Sequence, residues 1–194
     1  IAVDSMDRIW FGTSTEGILI YDTSLDRWKT VNQKNGLPDN RVIDILVDAW
    51  GSVWISTADK TLSKYIDLDF TLLNVYDGLP SDEVTAIASY ESELLFSCAS
   101  RGIYKFENRE VERVYPMDIK SEAIFKDSSN LWIGSNGEGL IIFDGLESTV
   151  LRKSNGLPSN WVNKIVQDTE GVIWIASPSN GIASIELQDS SEFK

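Results

Sequence analysis

A chain of 194 residues, 42% of them hydrophobic, has ample apolar material for a buried core. Thirty acidic side chains (Asp+Glu 30) stand against 17 basic ones, a formal net charge of −13, and this opposes binding to nucleic acid or to an anionic membrane surface. Histidine is absent, which removes the commonest general base, the Ser-His and Cys-His nucleophile pairs, and imidazole metal ligation.

One pattern recurs along the chain. A turn that opens on Asp leads into a short apolar strand centred on Trp: Asp4 to Thr13 around Trp10, Asp48 to Thr57 around Trp54, Asp127 to Ser135 around Trp132, and Asp168 to Ser177 around Trp174. A weaker copy carries Leu95 at the Trp position. These anchors are 44, 41, 37 and 42 residues apart, a spacing that marks a repeat architecture.

Each repeat reads as four strands. The first is short, as in Arg41 to Val47 and Trp161 to Val166. Asp48-Ala-Trp-Gly51, Asp127-Ser-Ser-Asn130 and Asp168-Thr-Glu-Gly171 suit tight turns, with Asp bonding its own backbone and Gly or Asn tolerating positive φ. The Trp strand follows, apolar on both faces, so both faces should be covered. A third strand runs over Gly17 to Tyr21, Gly139 to Phe143 and Gly181 to Ile185. The fourth is polar with one large apolar residue, Trp28, Phe70 or Val150, as expected of an edge strand.

A second fixed device joins successive repeats: Asn35-Gly36-Leu37-Pro38-Asp39-Asn40, Asp77-Gly78-Leu79-Pro80-Ser81-Asp82 and Asn155-Gly156-Leu157-Pro158-Ser159-Asn160. Gly supplies unusual backbone angles, Leu anchors the loop and Pro blocks further pairing. The third repeat departs, with Leu95 for Trp and Tyr115-Pro116-Met117-Asp118 in place of the Gly-Leu-Pro loop. Either drift in a tolerant unit or a unit reshaped for a ligand or partner would account for it.

Four-stranded antiparallel units at this period are blades of an all-β propeller, each blade covering the face of the next. The repeats fall at about 1–40, 41–82, 83–118, 119–160 and 161–194, one propeller array over 1–194. Ile1 aligns with Ile45, inside a first strand, and Phe193 aligns with Trp28 and Phe70, in a fourth strand. The expectation is therefore about four and a half blades of a larger ring, with a closed five-bladed ring as the alternative. Open blade faces should associate with another copy.

Gly-Leu-Pro-x-Asn phased with Asp-x-x-Gly-x-Ile/Val-Trp-Ile-x-Thr/Ser resembles the two-component regulator propeller repeat, from Ile1 to about Ile185. The resemblance implies a seven-bladed ring in the extracytoplasmic, periplasmic sensor region of bacterial hybrid histidine kinases, often sensing products of polysaccharide breakdown. No kinase or membrane-spanning part lies in this sequence, so the signalling output belongs elsewhere.

Candidate chemistry is sparse. The turn residues Asp48, Asp127 and Asp168 recur for backbone reasons, and Asp67-Leu68-Asp69 lacks calcium-loop spacing. Cys98 stands alone, so no internal disulfide forms; it occupies the position of Thr13, Thr57, Ser135 and Ser177 and reads as a small buried residue without an activating base. Better candidates break the repeat without serving the fold. Trp50 holds a turn tip where other copies have Ser129 or Glu170, and Trp161 stands where others have Arg41 or Glu83. Exposed Trp side chains are flat platforms for a sugar or a protein partner. The reading is a non-catalytic sensor propeller binding a small molecule or oligosaccharide in or near the central depression, without metal or cofactor. The alternatives are an interaction scaffold and, more remotely, a propeller lyase, which the missing histidine opposes.

Overall fold

The structure is a computed structural model. It describes residues 1–66, 69–74, 77–80, 83–99, 101–108, 110–115, 117–178 and 180–185. The described chain is all-β and forms two compact units, one from Ile1 to Asp118 and one from Ile119 onward. No helix among the described residues is long and apolar enough to cross a membrane.

The first unit holds three antiparallel sheets, each four strands in sequential order. They are β1 (Ala2–Val3), β2 (Arg8–Gly12), β3 (Ile18–Asp22) and β4 (Arg27–Val31), then β5 (Val42–Val47), β6 (Val53–Thr57), β7 (Leu62–Ile66) and β8 (Asp69–Leu73), then β9 (Val84–Tyr90), β10 (Glu93–Cys98), β11 (Gly102–Glu107) and β12 (Glu110–Tyr115). The second unit has β13 (Ser121–Lys126), β14 (Leu131–Ser135), β15 (Leu140–Phe143) and β16 (Ser148–Leu151), then β17 (Lys164–Gln167), β18 (Ile173–Ser177) and β19 (Gly181–Ile185). Phe193 and the fourth strand expected around it lie outside the described residues. The first strand of the fifth repeat is shorter than its apolar pattern suggests: Trp161 makes only an isolated bridge to Asn136 before β17 begins at Lys164.

Within each unit, consecutive sheets pack face to face through the Trp strand. Trp10 is buried against Val53, Ile55 and Tyr65 of the following sheet, its ring edge-on to Tyr65 at 5.3 Å. Trp54 packs likewise on Leu94 and Phe96, with Phe106 at 6.0 Å. In the second unit Trp132 packs on Ile165, Ile173 and Ile175. The driving force is apolar burial, and a Trp→Ala change at these positions should cost roughly 3–5 kcal/mol.

The Gly-Leu-Pro loops set the step from one sheet to the next. Asn32 opens a single 3-10 turn over Gln33–Asn35, and Gly36 closes it at φ 104°. Leu37 N then bonds Asn32 O at 3.1 Å, and Leu157 N bonds Arg152 O at 3.2 Å in the matching loop. The last Asn of the motif holds the loop from outside: Asn40 Oδ1 accepts from Gln33 N at 2.9 Å and Asn160 Oδ1 from Lys153 N at 2.7 Å. Leu37, Leu79 and Leu157 are all buried. Positions Ser81 and Asp82 of the second loop, and Pro116 in its degenerate counterpart, lie outside the described residues.

One expectation fails. The apolar Trp strand predicts cover on both faces in every repeat, yet Trp174 is 41% exposed. Trp10, Trp54 and Trp132 each have a following sheet to pack on, whereas β17–β19 are the last described strands and nothing described covers their Trp face.

Candidate functional site

The turn aspartates do more than shape the turn. Asp48 Oδ1 accepts from the backbone of Trp50 at 3.0 Å and of Ser52 at 2.8 Å, while Oδ2 accepts from the Trp54 indole at 2.8 Å. The same indole bond forms at Asp4–Trp10, Asp127–Trp132 and Asp168–Trp174. Sequence reasoning placed these carboxylates correctly but missed the indole as their partner. The consequence for chemistry is negative: each carboxylate is spent on holding its own repeat. At Asp168 the Trp174 bond, with backbone donors, draws the carboxyl below its ordinary range. At Asp4 burial pushes the carboxyl up, but donors from Trp10 and Arg8 outweigh it and the net direction is down.

Cys98 is fully buried in the cluster around Trp54, Leu62 and Phe96. Among the described residues no three His, Cys, Asp or Glu side chains gather closely enough to hold a metal ion. Asp67 lies outside the described residues, as does the side chain of Asp69.

Trp50 sits on the turn between β5 and β6 and is 65% exposed. It lines a cleft of about 340 Å³ between the second and third sheets. Trp54, Lys64, Ser89, Ser92, Glu93 and Phe106 line the same cleft. A second hollow of about 580 Å³ shares Trp54, Lys64 and Phe106 and runs toward Leu72 on the outer strand. Both volumes fall in the range of small-molecule sites. The outer-strand pair at this interface differs from that at the one before it. Phe70 pairs with Tyr65 on the outer strands and both pack toward Trp10; in the third sheet the matching pair is Val111 with Phe106. The smaller Val fills less of the gap.

Trp161 lies elsewhere in the fold. It is 38% exposed and precedes the first strand of its repeat, whereas Trp50 follows the first strand of its own. Its backbone N–H bonds Ser159 Oγ at 3.0 Å, which fixes the end of the Gly-Leu-Pro loop. The cleft takes in Trp50 and not Trp161.

A cleft residue that sequence reasoning did not single out is Lys64. The register sets it beside Trp54, in the place where Ile20 stands beside Trp10 and Ile142 beside Trp132. Those isoleucines are buried against the following sheet. The Lys64 ammonium instead lies over the Trp54 ring, 5.0 Å from its centre. The third strands carry Ile20, Lys64, Lys105, Ile142 and Ser184 at this position, so it is not constant among the repeats.

Sheets of this kind, stacked through Trp strands, define a β-propeller protein. Residues 36–59 and 156–179 match the family described as "Two component regulator propeller", each match running from a Gly-Leu-Pro loop through the next Trp strand. In solved structures it is similar to the extracellular domain of the hybrid two component system BT3049 from B. thetaiotaomicron, with 23% identity and a TM-score of 0.78, over 97% of this chain and 27% of that one. It is also similar to the extracellular domain of BT4673 from B. thetaiotaomicron, at 17% identity and a TM-score of 0.76, over 94% and 26%. A streptogramin B lyase aligns at 15% identity and a TM-score of 0.72, over 95% and 66%. At such identities the likeness is one of fold. The chain spans about a quarter of the length of the extracellular domains it matches, 27% and 26%. No curated protein matches it.

Proposed function

We propose that this chain is a non-catalytic, ligand-binding part of the extracytoplasmic sensor propeller of a bacterial two-component receptor, and that its ligand is derived from a glycan. The observation that carries this reading is the phased pair of motifs, Gly-Leu-Pro loop and Trp strand, matched to the two component regulator propeller family. The extracellular domains of BT3049 and BT4673, which share the fold, support the extracytoplasmic placement. A sensor needs no reacting groups, and the turn carboxylates here are committed to indoles and backbone. The lyase likeness supports fold and not chemistry, because the sequence holds no histidine to act as base. The test is the intact receptor with a transcriptional reporter, screened against oligosaccharides, with and without this segment. A response that needs the segment supports the reading, and an unchanged response after its deletion overturns it.

A second reading, self-association or docking of a protein partner, is favoured by one surface. Val166, Trp174 and Ile182 share a face of the last sheet and all three are exposed. Light scattering of the chain across a concentration series, compared with a Trp174→Ser/Ile182→Ser variant, tests it: the mass of the native chain should rise with concentration and that of the variant should not.

A further inference from the structure

Two residues of the second repeat, one on its turn and one on its third strand, line the same cleft. Trp50 presents a flat apolar ring at a turn tip where other copies carry Ser129 or Glu170. Lys64 places an ammonium on a sheet face where the first and fourth sheets bury Ile20 and Ile142 and the fifth carries Ser184. Lysine also stands at this register position in the third sheet, as Lys105, but there Glu93, Glu107 and Glu112 surround it at 3.3 to 3.8 Å. Among the described residues no carboxylate pairs with Lys64, and its contact is the face of Trp54.

We propose that the cleft between the second and third sheets binds a neutral sugar, a mono- or disaccharide, with a ring face stacked on Trp50 and hydroxyls bonded to Lys64 Nζ. The inference rests on the sensor reading above and locates its ligand. The lining selects the class. An apolar ligand would strip water from Lys64, Glu93 and Glu107 and return no hydrogen bonds, which is costly. An anionic ligand would meet one ammonium but the carboxylates of Asp48, Glu93 and Glu107 as well. A neutral polyhydroxylated ring suits both signs of charge, since its hydroxyls accept from Lys64 and donate to Glu93 or Glu107. Asn108 and Ser92 add an amide and a hydroxyl at the rim.

The test is NMR titration of the chain labelled at its indole nitrogens, using maltose, cellobiose, mannobiose and xylobiose as probes and glucuronate as the anionic comparison. At least one disaccharide should shift the Trp50 indole signal. Trp50→Ala and Lys64→Ile should each weaken that binding by about tenfold or more, whereas Trp161→Ala should leave it within about twofold. Lys64→Ile installs the residue that the first and fourth sheets carry, so a cooperative melt at or above the native temperature will show that its loss of binding is not unfolding. No shift of the Trp50 signal by any of the four disaccharides overturns the proposal, and so does tighter binding of glucuronate. Sugar binding that survives both cleft variants overturns the site while leaving the sensor reading to the reporter assay.

Discussion

Trp54 Nε1 donates to Asp48 Oδ2 at 2.8 Å, six residues back across the turn that precedes its strand. The bond lets the interface bury an indole, whose N–H would otherwise be left without a partner. The third sheet shows the converse: Leu95 replaces Trp, and its turn, Glu91-Ser92, has no Asp. Trp and Asp are thus lost together. Asp48→Ala should destabilise the chain by about 2–4 kcal/mol, since it removes both the indole bond and two turn bonds. Trp54→Leu, which copies the third sheet, should make Asp48→Ala cheaper. A double-mutant cycle by chemical denaturation should give a coupling of about 1–3 kcal/mol, and additive effects would refute the pairing.

Acid should weaken the fold through the same carboxylates. Asp4 and Asp168 both have folded-state values below the ordinary carboxylate range. A depressed folded value contributes stability that is fully present above the unfolded value of about 3.9 and is lost as pH falls through the folded one. The melting temperature should therefore be level from neutral pH to about 5 and decline below about 4. Asp4→Asn should shallow that decline, and a profile unchanged by the substitution would count against this origin.

The loop glycines separate backbone strain from crowding. Gly36 and Gly156 share φ near 105°, at 104° and 105°. A Cβ on Gly36 would lie 3.2 Å from the Phe70 ring, whereas one on Gly156 meets nothing within 4 Å. Gly156→Ala should cost about 1 kcal/mol from φ alone. Gly36→Ala should cost more, about 2 kcal/mol, because the ring must also give way. Thermal melts of the two variants decide it, and equal losses would mean that Phe70 yields freely.

The repeat was legible because its causes are local. Gly36, Leu37 and Pro38 are dictated by the backbone of one loop, and Trp54 by a following sheet of the kind that Trp10 and Trp132 also meet. Asp48 was placed correctly for only half of its role, since the turn is written in four consecutive residues while the indole bond spans the turn and the next strand. The strand of Trp174 has the same pattern as the others, so its exposure could be foreseen only from the open blade face expected of a partial ring, and not from the strand itself. Lys64 escaped notice for a related reason. A lone lysine in a short strand looks like a solvated position until the register sets it beside Trp54 and opposite Phe106. Trp50, by contrast, could be picked out from the sequence, because a turn tip needs no tertiary partner to be recognised as exposed.

The difference between Trp132 and Trp174 can be measured directly. Both indoles bond the turn Asp, at 2.7 Å in each case, and both sit mid-strand in the same unit. Trp132 is completely buried beneath the following sheet, whereas Trp174 leaves 41% of its surface open. Trp132→Ala therefore opens a cavity and should cost about 3–5 kcal/mol. Trp174→Ala removes a bond and partial burial without creating an enclosed void, and about 1–2 kcal/mol is expected. Urea denaturation at low protein concentration gives both values. If the Trp174 variant loses as much as the Trp132 variant even at high dilution, that face is covered in solution by something other than a second copy. If its loss grows with protein concentration, self-association through the exposed sheet is what covers it.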